Sequence, residues 1–147
     1  MRQQWIKILS GILAAALLTA LAGCGNKRNI GAMKLKDGTY EGHYEDENDS
    51  DQPGNRVEVK LTISEGRITA CESVEMEADG TVKDEHYGEK GSPQSYQLAQ
   101  KALEGLRTYP DRLLAAQDPD QIDAVSGATV SLKRFREAVW NALEQAK

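Results

Sequence analysis

The sequence is short of the residues that most often carry chemistry on their own. In 147 residues it has two cysteines and two histidines, too few for a thiolate or imidazole metal cluster. It has no surplus of positive charge: the formal net charge is −5. An acidic chain without a basic stripe is a poor candidate for nucleic acid or for anionic lipid headgroups. It contains one phenylalanine, Phe135. About 110 ordered residues can still bury a core, but a modest one. No nucleophile and general base stand in an evident pair, which argues against a substrate-turning enzyme. There is no internal repeat and no low-complexity run.

Nor is there an apolar run of the roughly 20 residues that a membrane span needs. The longest, Ile8 to Ala22, has 15 residues, interrupted by Ser10, Gly11 and Thr19. It follows a short basic start with Arg2 and Lys7, and it ends in Leu21-Ala22-Gly23-Cys24. Length and flanks suit an export signal. The end is similar to the bacterial lipoprotein box, in which the cysteine is lipidated and becomes the new amino terminus. The alternatives are an uncleaved anchor helix or a signal cut elsewhere. Cleavage before Cys24 leaves 124 residues with 16 basic against 23 acidic side chains, a net charge of −7. Attachment to a membrane would then rest on acyl chains, at about 0.8 kcal/mol per buried CH₂. With Cys24 lipidated, Cys71 has no partner for an internal disulfide, and its phase along the chain points it away from the apolar face.

The expected organisation is a signal peptide at 1–23, a lipidated tether at 24–35 and one folded domain at 36–147. Lys36-Asp-Gly-Thr-Tyr-Glu-Gly42 leads from an Asp-Gly turn into a strand with Tyr40 and Tyr44. Residues 45–55 form an acidic loop around Pro53-Gly54. Val57, Val59, Leu61 and Ile63 alternate strictly, the clearest strand signal in the chain. Ser64-Glu-Gly-Arg67 turns it into a partner strand that presents Ile68, Ala70, Val74 and Met76 on one face. A polar loop from 79 to 93 follows, long enough for its length to be functional. From Gln94 the period becomes helical through Tyr96, Ala99, Leu103 and Leu106; Tyr109-Pro110 is expected to end that helix, with a short one after it at 111–116. Leu132, Phe135, Val139, Leu143 and Ala146 then make the apolar stripe of a final amphipathic helix from Ser131. Strands first and helices afterwards, without βαβ alternation, predict an α+β domain: an antiparallel sheet packed with two or three helices.

One segment concentrates chemical possibilities. In Asp123-Ala-Val-Ser-Gly-Ala-Thr129 the small residues at 124, 127 and 128 permit close approach by a ligand. Ser126 and Thr129 bracket a glycine free to take unusual backbone angles. The helix starting nearby offers unpaired N–H groups and a positive dipole end, a ready place for phosphate. Spacing alone leaves two readings open, a phosphate site and a plain helix cap made by Ser or Thr.

Asp-x-x-Ser-Gly-Ala-Thr resembles the flavinylation sequence of the FMN-binding domain family. That family includes the C subunit of the sodium-translocating NADH:quinone reductase and the G subunit of the Rnf complex. Lys36 to Gly42, the hairpin with its Glu-Gly-Arg-Ile68 turn and the helix after the motif fall in the family's order, so the resemblance spans about residues 36–146. The middle loop has no Thr-Pro-Gly segment. It carries Asp84-Glu-His-Tyr-Gly-Glu-Lys90, which is similar to the stand-alone bacterial lipoproteins of the family. The resemblance implies FMN held as a threonyl phosphoester on Thr129, placed there by a flavin transferase that recognises Asp123, Ser126, Gly127 and Ala128. It leaves the ring contacts open, with His86 and Tyr87 as candidates.

The function so implied is an extracytoplasmic, membrane-anchored electron carrier. It would pass electrons from a membrane oxidoreductase to an extracellular acceptor, with the redox chemistry supplied by the cofactor. Two other readings stand beside it: a binding or signalling lipoprotein without flavin, and a precursor whose signal peptide is released as a pheromone.

Overall fold

The computed structural model describes residues 28–49 and 52–147. The expected signal peptide and Cys24 lie outside them. The domain is α+β, as the order of periodicities predicts. Strands β1 (Gly38–Asp46), β2 (Asn55–Ser64) and β3 (Arg67–Met76) form an antiparallel sheet in the order β1-β2-β3. Helices α1 (Pro93–Ala116) and α2 (Thr129–Gln145) cover one of its faces, α2 over β1 and β2 and α1 over β3. The alternation of β2 supplies the middle of the core. Val57, Val59, Leu61 and Ile63 are all buried against Leu103, Leu106, Tyr109 and Leu113 of α1 and Phe135, Val139 and Leu143 of α2. The β2–β3 connection has positive φ at both Glu65 and Gly66, the mirror-image turn whose twist matches a tight hairpin.

β3 departs from its expected phase. Ile63 pairs with Ile68 but Thr62 pairs with Ala70, so Thr69 is an extra residue, a bulge. Beyond it Cys71 stands opposite Leu61, Ser73 opposite Val59 and Glu75 opposite Val57. Paired residues share a face, so these three, not Ala70 and Val74, point toward the helices. Glu75 is buried and Ala70 is exposed. Cys71, read as pointing away, is half-buried at the core's edge, and burial pushes its thiol up to about 12.

α1 is also longer than expected. It starts at a serine cap, with Ser92 Oγ accepting from Ser95 N at 3.2 Å and Pro93 in the first turn, where its missing N–H is harmless. It then runs through Pro110 to Ala116 as one helix, so the stop at Tyr109-Pro110 and the separate helix at 111–116 are not found. A proline inside a helix costs about 3 kcal/mol. Leu106 and Tyr109 before it and Leu113 after it are all buried, and that packing holds the segments on both sides of Pro110 in one helix.

α2 crosses β1 at Gly42, where a Cβ would overlap the Ala138 carbonyl oxygen and lie 2.6 Å from Ala142 N. Strand and helix meet there backbone to backbone. The segment before β1, read as tether, also lies on α2 from residue 28 onward. Arg28 donates to both carboxylate oxygens of Glu137 at 2.8 and 2.6 Å and stacks over the Trp140 ring at 5.0 Å. Lys36 N donates to Ala146 O at 2.7 Å, and Ile30, Met33 and Leu35 rest against the core.

Candidate functional site

The motif segment is clasped from both helices. After α1 ends at Gln117, a single 3-10 turn, Pro119–Gln121, leads into residues 122–128. Arg112 Nη1 donates to Asp123 O at 3.2 Å, Arg136 donates to Ile122 O, and Trp140 Nε1 donates to Asp120 Oδ1 at 3.0 Å. Tyr109, wholly buried, is the innermost clasp. Its hydroxyl accepts from Val125 N at 3.3 Å and donates to Ala128 O at 2.8 Å. Burial raises its phenol above the ordinary value, so it stays a donor. Gly105 lets α1 come this close, since a Cβ there would lie 2.6 Å from Ala128 Cβ and 3.1 Å from Val125 Cβ.

Val125 to Ala128 is a turn closed by Ala128 N donating to Val125 O at 2.9 Å. Gly127 takes φ +86°, as the third residue of a type II turn must. The α2 cap position is Ala128, which has no side-chain bond to the helix, and Thr129 is the first helical residue. Neither Thr129 nor Ser126 is therefore the N-cap that spacing alone allowed. Both are exposed, and among the described residues neither hydroxyl has a hydrogen-bond partner. Ala128 is buried and Asp123 exposed. The first turn of α2 thus presents its amides and dipole without a side-chain oxygen to satisfy them.

Beside this helix start opens a cleft of about 1090 Å³. That is above the roughly 300–1,000 Å³ of ordinary ligand clefts, in keeping with an open mouth. Gly127, Val130, Ser131 and Arg134 of the α2 side line it; of the motif residues Asp123, Ser126, Gly127, Ala128 and Thr129, Gly127 alone is in the lining, and Thr129 directly precedes the lining Val130. Across from them stands the loop between β3 and α1. Gly88, at φ +87°, packs against Ala99, and the Tyr87 carbonyl accepts from Gln100 Nε2 at 2.9 Å. The described residues include three exposed large hydrophobics, Val82, Leu98 and Val130, and all three line this cleft. Isolated exposed apolar side chains are ordinary; a set gathered in one concavity marks a ligand surface. A smaller groove of about 490 Å³ on the uncovered face of the sheet is lined by Glu41, His43, Glu58, Lys60 and Glu72, a solvated charged face.

Of the two ring-contact candidates, His86 is exposed and held to Glu89 at 2.8 Å, which raises its pKa. Tyr87 is half-buried in the cleft wall, under Lys83 Nζ at 4.6 Å from its ring centroid. The floor is a feature sequence reading missed. Glu75 Oε1 accepts from Lys83 Nζ and from Arg134 Nη1, each at 2.8 Å, and Arg134 reaches on to Asp49. Gln52 joins the cluster, accepting from Lys83 at 3.2 Å and donating to the Tyr87 hydroxyl at 2.6 Å. No local signal pointed to it: Arg134 lies off the expected apolar stripe of the last helix, and the bulge that turns Glu75 inward left no trace in composition.

A small α+β domain with an uncapped helix start beside a cleft that carries exposed apolar side chains among charged ones has room for a nucleotide with a planar ring. The model of the FMN-binding domain family matches residues 54–144, and the chain belongs to that family. It is a flavin-binding domain, with the electron-transfer role that flavin binding carries. A crystal structure of a Clostridium perfringens protein is 24% identical, with a TM-score of 0.53 over 76% of this chain and 88% of that one, and shares the fold. A solution structure from Clostridium thermocellum is 25% identical over 77% of this chain and 93% of that one, with a TM-score of 0.44. None of the curated proteins matches.

Proposed function

We propose that the chain is a lipid-anchored extracytoplasmic electron carrier holding FMN covalently on Thr129. The observation that carries the reading is the adjacency of two features: the exposed apolar side chains Val82, Leu98 and Val130 that line the cleft, and the uncapped start of α2, where the exposed Thr129 directly precedes Val130. Phosphate is favoured at such a helix start, and a flat hydrophobic ring is favoured against the cleft wall.

In the attachment step Thr129 Oγ bonds to the phosphorus of the FMN half of FAD. The pyrophosphate bond breaks, AMP leaves, and the hydroxyl proton is given up, with a flavin transferase as catalyst. The exposed residues Asp123, Ser126 and Gly127 are the part of the motif such an enzyme can grip; Ala128, buried against Gly105, sets the turn's depth. Once bound, FMN supplies one- or two-electron transfer. The chain's own residues then orient it: Gly127 keeps the backbone close, Val130 and Leu98 cover apolar surface, and Tyr109 prevents the segment from shifting. Attachment through Cys24 would place the site at a membrane surface, between a membrane oxidoreductase and an extracellular acceptor. No helix among the described residues is long and apolar enough to cross a membrane.

Co-expression with a flavin transferase tests the reading. The expected result is flavin fluorescence that survives a denaturing gel and a mass increase of FMN minus one water, both lost in Thr129→Ala. Colourless wild-type protein of unchanged mass refutes the covalent carrier and favours a binding lipoprotein.

A further inference from the structure

The charges beneath the cleft have no evident structural justification. Arg134 is wholly buried, Glu75 is 2% exposed and Lys83 8%. Both cations converge on a single carboxylate oxygen, Glu75 Oε1. Burying such a cluster forfeits hydration that the mutual attraction barely recovers, and well-packed apolar side chains in its place are often as stable or more so. The cluster is incomplete even by its own terms: Arg134 Nε is buried and has no hydrogen-bond partner among the described residues. What distinguishes the position is what it faces. Glu75, Lys83, Gln52, Asp49 and Arg134 all line the cleft.

We propose that this buried cluster sets the reduction potential of the flavin, with Lys83 as its charge on the cleft side. The inference rests on the functional reading above and deepens it. Reduction adds electrons to the ring, so a fixed positive charge nearby favours the reduced form and a negative charge the oxidised one. The interaction is screened less for charges withdrawn from water, as those of this cluster are. Lys83 is a fixed charge, not a mobile one. Its ammonium donates to Glu75 and Gln52 and lies over the Tyr87 ring, and Gln52 in turn holds the Tyr87 hydroxyl. Glu75 and Asp49 offset the two cations, so removing any one member leaves the floor with an unbalanced charge.

Midpoint potentials of flavin-loaded variants at one pH test this, since charge predicts opposite signs where mere damage does not. Lys83→Met should lower the potential and shift the balance of oxidised to reduced flavin at least tenfold, about 30 mV for a two-electron couple. Lys83→Arg should stay near wild type. Glu75→Gln should raise the potential, and Asp49→Asn, nearer the surface, should repeat that sign if Glu75→Gln does not fold. Thermal melts of the flavin-free proteins check folding. Loaded variants whose potentials all move the same way, or stay within tenfold of wild type, overturn the inference alone. Wild-type protein that takes no flavin overturns the functional reading and this inference with it.

Discussion

Replacing Tyr109 with phenylalanine removes one oxygen atom, and two hydrogen bonds, from the clasp on the motif. The hydroxyl makes two bonds, accepting from Val125 N at 3.3 Å and donating to Ala128 O at 2.8 Å. The two losses are unequal. Ala128 O keeps its helical partner, Leu132 N at 3.0 Å, and so remains satisfied. Val125 N has no second acceptor among the described residues, and a partly buried amide without a partner costs about 1–3 kcal/mol. The ring remains, so no cavity is added. For a domain of this size that corresponds to a fall in Tm of roughly 2–8 °C per kcal/mol. Urea unfolding should show a lower midpoint with unchanged m, the sign of a native-state loss. Because the stranded amide lies within the motif, slower flavin loading should accompany the loss. A Tyr109→Phe protein within about 0.5 kcal/mol of wild type that loads at the wild-type rate would refute the clasp.

Gly42→Ala should be among the most damaging single methyl additions in the domain. The new Cβ meets α2 backbone, which cannot rotate away as a side chain would, so the cost should reach the upper end of about 1–3 kcal/mol or exceed it. Chemical denaturation measures it, and a neutral result would refute the backbone-to-backbone contact of β1 with α2. Cys71 should make stability fall at high pH. Burial disfavours its thiolate and lifts the folded pKa to about 12 from an ordinary 9.0, so the contribution is intact below about pH 9 and is lost as pH rises toward 12. Cys71→Ala should flatten that part of the profile, and the native thiol should resist alkylation at pH 8.5 while the unfolded chain reacts.

Much of this architecture is written in local pattern. The alternation from Val57 to Ile63 defines a strand whose every apolar residue is buried, and the stripe Leu132, Phe135, Val139, Leu143, Ala146 defines the face α2 buries. These succeed because period and burial are linked by backbone geometry alone. The motif at 123–129 is readable in the sequence on a different ground, as residue types in a fixed short order. Its reading as a helix cap was not settled locally, since whether Thr129 caps or begins α2 depends on how the turn at Gly127 enters the helix.

What needed the folded chain was everything decided by distant partners. One extra residue at Thr69 turns Glu75 into the core, where Arg134 and Lys83 meet it; the bulge is a property of strand pairing. Pro110 stays inside α1 because side chains on either side of it are buried together, and no rule of local propensity contains that term. Gly42 and Gly105 look like ordinary flexible residues in the sequence, and only the approach of α2 and of the motif makes them obligatory. Periodicity determines which side of each element is apolar. Which charges are carried inward with it, and against what, is decided by packing.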